Sequence, residues 1–108
     1  MEDIYCDFDV VFDELFNMVD SHDKYELTLS LQNVNVGLIE DAGKDGLGNF
    51  IEVFSENIGV IQSDYCKVIF EYFDVFIVLY YNVNMQTTTF NAKIFHSLED
   101  ADKLYMSI

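Results

Sequence analysis

The first 23 residues, "MEDIYCDFDVVFDELFNMVDSHD", carry Glu2, Asp3, Asp7, Asp9, Asp13, Glu14, Asp20 and Asp23, and neither Lys nor Arg. Carboxylates can move protons or meet positive charge. A chain with 20 acidic residues always offers a pair for acid–base work, so proton chemistry does not set this stretch apart. Its arrangement does. On a helix over 2–20, turning about 100° per residue, Ile4, Tyr5, Phe8, Val11, Phe12, Leu15, Phe16 and Val19 fall on one broad apolar side. Glu2, Asp9, Asp13 and Asp20 line up opposite in one row, and Asp3, Asp7 and Glu14 in a second. Within a row, spacings of four and seven residues are roughly 6 and 10.5 Å along the axis. Acids at a helix start suit the macrodipole, but Asp13, Glu14 and Asp20 lie beyond its first turn. Something other than helix stability places them there.

A second pattern is "DAGKDGLGNFIE", residues 41–52. It resembles a calcium-binding EF-hand loop at Asp41, Asp45, Gly46, Asn49 and Glu52, the first, fifth, sixth, ninth and twelfth places. Gly46 would make the sharp turn and Glu52 would ligate with both oxygens. Gly43 stands where a side-chain oxygen is needed, and Gly48 replaces the apolar residue that bridges paired loops. The preceding "NVNVGLIE" reads as strand, not as an incoming helix. The expectation is a flexible acidic connection that holds no metal.

Other chemistries are poorly served. His22 and His96 form no metal-ligand cluster with Cys6 and Cys66 by spacing. Ser, His and Asp occur without a nucleophile elbow. No glycine-rich loop followed by Lys opens a helix after a strand. The chain has no Arg, which disfavours an enzyme acting on anionic substrates. No cofactor is expected, and the chain does not read as an enzyme.

The balance is 20 acidic residues against five Lys, a net charge of −15. That argues against direct binding to nucleic acid or an anionic membrane, since both need a cationic surface. It favours a basic partner reached by electrostatic steering. Asn, Ile, Phe and Tyr are common, as AT-rich codons would give. Such codons favour Lys too, so its scarcity looks selected. Residues 65–83 are apolar, but Lys67, Glu71 and Asp74 interrupt them and argue against a spanning helix. No secretory signal is visible at the N-terminus, and Cys6 and Cys66 read as free thiols of a cytoplasmic protein.

These groups must be positioned by a small core, for which 108 residues in a single domain, 51% hydrophobic, suffice. "KYELTLSLQ" (24–32) alternates as a half-buried strand, and 33–41 is its expected hairpin partner, turning near Asn33. Asn49 with Glu52 predicts a cap for a helix over 50–58. Asp64, Lys67, Glu71 and Asp74 are polar at helical spacing, which predicts a helix over 64–74 with Cys66 on it. "VFIVLYYNVN" (75–84) is β-branched and aromatic, a central strand, and 87–96 returns antiparallel across Met85-Gln86. Ser97 with Asp100 caps a last helix, "LEDADKLYM". "NVNV" at 33–36 and "NVNM" at 82–85 hint at a duplicated unit. The expected fold is α+β: a four-stranded antiparallel sheet of two hairpins, with three to four helices mainly on one face. Phe70, Tyr72, Phe73, Phe76, Tyr80 and Tyr81 supply its core, with any surplus available for a homodimer interface.

A small Arg-free chain with a carboxylate-studded helix resembles, in charge character, the phage-encoded DNA-mimic inhibitors: anti-CRISPR proteins, anti-restriction proteins and uracil-DNA glycosylase inhibitors. It equally resembles immunity proteins that neutralise basic nuclease toxins. The resemblance implies a basic protein partner, a nuclease or a CRISPR effector. The candidate partner-binding residues are the eight acids named above together with Glu40, Asp41 and Asp45. A calcium-responsive module and an acidic dimerisation domain stay open as alternatives.

Overall fold

The structure is a computed structural model that describes residues 13–20, 26–32, 46–54, 58–64, 66–84 and 87–108. In chain order these form helix α1 (13–20), strand β1 (Glu26–Gln32), helix α2 (Gly46–Phe54), strands β2 (Ile58–Ser63), β3 (Lys67–Tyr72), β4 (Val75–Asn84) and β5 (Thr87–Phe95), and helix α3 (Leu98–Ser107). The strands make one antiparallel sheet in the order β1-β5-β4-β3-β2.

β4 explains the layering. Along it Val75, Ile77, Leu79 and Tyr81 face one way, and Phe76, Val78 and Tyr80 the other. A strand alternates its side chains, so a run apolar at every position needs cover on both faces. The first face receives it from Leu15, Met18 and Val19 of α1 and from Leu47 and Ile51 of α2. Val68 and Phe70 of β3 and Phe90, Ala92 and Ile94 of β5 complete that core. On the second face Ala101 and Tyr105 of α3 cover Ile69 and Val78. Ser97 starts α3 as expected, its hydroxyl accepting from the Asp100 N–H at 3.2 Å.

The α+β class and the antiparallel sheet agree with the sequence, as does the return of 87–95 on 75–84, with Asn84 opposite Thr87. Several details differ. Among the described residues the sheet has five strands, not four. β1 pairs with β5, Glu26 opposite Lys93; its expected partner 33–41, and with it the possible "NVNV" duplication, lies outside the described residues. The described helices cover both faces, two on one and the third on the other.

The expected helix over 64–74 is β3 and the start of a hairpin. Val68 and Phe70 turn to the first core while Lys67, Ile69 and Glu71 turn to the second face. A strand with an apolar residue under each helix layer loses clean alternation, and its polar residues then fall at helix-like intervals by accident. Cys66 accordingly precedes a strand, its carbonyl accepting from the Tyr81 N–H at 3.0 Å.

The expected helix over 50–58 begins at Gly46 and ends at Phe54, and β2 follows. Leu47 and Ile51, four apart, are the buried stripe that sets its extent, so Asn49 lies inside the helix and not at its start. Gly48 lets α2 lie close on β2: a Cβ there would stand 2.8 Å from Ser63 Oγ and 2.9 Å from Ser63 Cβ. Among the described residues, no helix is long and apolar enough to cross a membrane.

Candidate interaction surface

β3 turns into β4 through Phe73 and Asp74, with Tyr72 opposite Val75. Phe73 has φ 56°, the left-handed region that Gly or Asn enters more readily than a bulky side chain. Its ring is nevertheless 68% exposed. An apolar ring held on a strained turn and left in water gains little from the fold. It meets the Tyr72 ring edge-on at 4.6 Å between centroids, and Tyr72 in turn lies 5.0 Å from Phe16 of α1. These aromatics join the end of α1 to the hairpin tip. Between them lies an open depression of about 300 Å³ lined by Val19, Asp20, Tyr72, Phe73, Asp74 and Val75.

Carboxylates gather around the same end of the sheet. Asp20 reaches it from α1 and Asp74 from the turn. Glu71 is opposite Phe76, and Phe76 opposite Phe95, which places the start of α3, with Glu99 and Asp100, at this end too. Asp20, Glu71, Asp74, Glu99 and Asp100 are all exposed. The described lysines do little to neutralise them. Lys67 sits at the far end of β3 against the C-terminus of α3. Lys93 faces Glu26 at 3.4 Å, and only Lys103, 3.8 Å from Glu99, reaches one of the five. Exposed pairs of this kind contribute little.

Of the acids expected to bind a partner, Asp13, Glu14 and Asp20 are described. All three are exposed on α1 opposite its buried Leu15 and Val19, as the apolar stripe requires. Glu2, Asp3, Asp7, Asp9, Asp23, Glu40, Asp41 and Asp45 lie outside the described residues, as do Cys6 and His22. The second half of the calcium-loop pattern is helical from Gly46, so the residue meant for the sharp turn starts a helix instead. Glu52 is exposed on that helix. Sequence reasoning missed Phe73 and Asp74, having assigned Phe73 to the core. The available signal was two apolar runs separated by two residues, the spacing of a tight hairpin, but Phe-Asp lacks the Gly or Asn that marks such turns. No family model, no curated protein and no solved structure matches this chain.

Proposed function

We propose that the protein is a small acidic inhibitor that binds the basic cleft of a nucleic-acid-handling enzyme. It acts as a phage or mobile-element anti-defence protein, of anti-CRISPR or anti-restriction type, in the cytoplasm of a bacterial host. It is a binder and not an enzyme. The supporting observation is the convergence of carboxylates from α1, the β3–β4 turn and α3 on one end of the sheet, with the Lys103–Glu99 contact their sole described lysine partner. Like charges so collected repel one another, and a cationic partner relieves that repulsion. Carboxylates a few ångströms apart can take the place of backbone phosphates, which recur every ~3.4 Å along one strand. Burying them is costly, so the partner must set Lys and Arg opposite.

The test has two stages. The immobilised protein is used to capture partners from a bacterial lysate rich in nucleases and defence enzymes. A captured enzyme is then purified and assayed for nucleic-acid binding and cleavage with the protein added in equimolar amount. The expected result is loss of nucleic-acid binding, relieved as salt rises. Full nucleic-acid binding by the saturated complex would overturn the reading.

A further inference from the structure

The depression beside Phe73 joins two chemistries that one type of side chain answers at once. Its walls are the exposed Phe73 ring and the half-buried Tyr72 ring, set edge-to-face. Asp20 and Asp74, two exposed acids carried on different elements, also line it. A volume of about 300 Å³ is at the small end for ligand pockets, ~300–1,000 Å³. It suits one side chain rather than a cofactor. We propose that this depression is the docking site for an arginine side chain of the partner protein. The inference deepens the function proposed above and rests on it for the partner being a basic protein.

Arginine fits better than lysine for three physical reasons. Its planar guanidinium stacks on an aromatic face while its edge donates to a carboxylate, so Phe73 and the two aspartates engage it together. Its weak hydration lets it settle on apolar walls in an open depression, where an ammonium would keep its water. Its fork of donors can serve two acceptors at once, and Asp20 and Asp74 bring two carboxylates to the depression from separate elements. Phe73 then has a reason to be exposed: in the complex its ring is covered by the guanidinium and the partner surface around it, the usual setting of an aromatic anchor. Electrostatic steering by the surrounding Glu71, Glu99 and Asp100 brings the cation to this end of the molecule.

The experiment is a ¹⁵N NMR titration of the full chain with N-acetyl-arginine methylamide, set against the lysine analogue. Saturable shifts confined to the amides around Asp20 and Tyr72–Val75 are expected, with arginine binding more tightly than lysine. Phe73→Gly and Asp74→Asn should each weaken arginine binding by about threefold or more. The two variants check each other: the glycine relieves the turn, and the asparagine keeps the shape of the rim. Equal response to both analogues, shifts spread over the carboxylates of α3 as well, or no shift at the depression would overturn the assignment. The two proposals fail separately. Arginine binding here without enzyme inhibition would sink the inhibitor reading alone; undiminished inhibition by Phe73→Gly would sink the arginine site alone.

Discussion

Lys67 and Tyr105 meet across the second face of the sheet: the Lys67 ammonium donates to the Tyr105 carbonyl at 3.0 Å and stands 4.4 Å from the centroid of the Tyr105 ring. It also reaches the Ile108 carbonyl at 3.5 Å. One cation thus satisfies the open carbonyls at the end of α3, opposes the negative end of its dipole and covers its buried aromatic. In a chain so poor in lysine, this one is structural.

Lys67→Met should therefore lower stability by about 1–2 kcal/mol, the sum expected for a half-buried dipole contact and a cation–π contact. Lys103→Met, which removes only the exposed pair with Glu99, should change it by less than about 0.5 kcal/mol. Thermal melting of the two variants side by side checks this. Equal losses would mean that the α3 terminus is held by its Tyr105 and Ala101 packing alone.

Gly48 gives a second test, in which two effects oppose. Alanine improves a helix interior by roughly 1 kcal/mol over glycine. Its methyl would stand 2.9 Å from Ser63 Cβ, an atom fixed to the backbone of β2 that cannot swing away. Overpacking of this sort costs about 1–3 kcal/mol, so Gly48→Ala should destabilise on balance. Adding Ser63→Gly opens the space, and the double variant should recover part of the loss in a denaturant-unfolding cycle.

At Phe73 the sign is reversed. A bulky residue in the left-handed region stores on the order of 1–3 kcal/mol. Among the described residues, the exposed ring gives back its edge contact with Tyr72. Phe73→Gly is expected to leave stability unchanged or to raise it by about 1 kcal/mol, read from urea unfolding. A clear loss would show that the ring is part of the core after all.

Residues 41–52 should not bind calcium. The helix already begins at Gly46, and Gly43 supplies no side-chain oxygen. Calorimetry with millimolar calcium should show no saturable heat; micromolar binding would restore the calcium-responsive reading.

The sequence was most legible where one physical demand acted alone. The stripe of α1 needed only one apolar side, and Leu15, Phe16 and Val19 face the core as their spacing implies. Ser97 needed only an N-cap geometry. β4 announced itself through β-branched and aromatic residues. β3 did not, because burial under two helix layers erased its alternation and left Lys67 and Glu71 at a helical interval. β2 was hidden by similar means: "IGVIQS" is short, holds a glycine and is interrupted by a register shift between Val60 and Gln62 that leaves Ile61 half exposed. Pairing partners were illegible for a different reason. β1 joins β5 across some sixty residues, and a local pattern carries no information about so distant a neighbour. The candidate site inherits these limits. Its acids stand out by type, whereas the part played by Phe73 depends on a turn whose residues are not turn-formers.

The acids themselves give the last prediction. Asp13, Asp20 and Asp74 are exposed, and no described lysine pairs with them. Changing all three to Asn removes like charge without touching the core, so the melting temperature should hold or rise, each exposed change being worth less than about 0.5 kcal/mol. Partner binding should respond quite differently. Losing one member of a desolvated charge pair costs on the order of 2–5 kcal/mol, chiefly through faster dissociation. Association should also slow, because part of the attractive field is gone, and its dependence on salt should flatten between low and physiological ionic strength. Stopped-flow association with the captured enzyme, run at several salt concentrations beside thermal melts, separates these effects. A triple variant that melts normally and binds with wild-type rates would make the acids of α1 and the β3–β4 turn a solvated surface. Glu99, Asp100 and Asp102 of α3, exposed on the opposite layer, would then be the acids to change next.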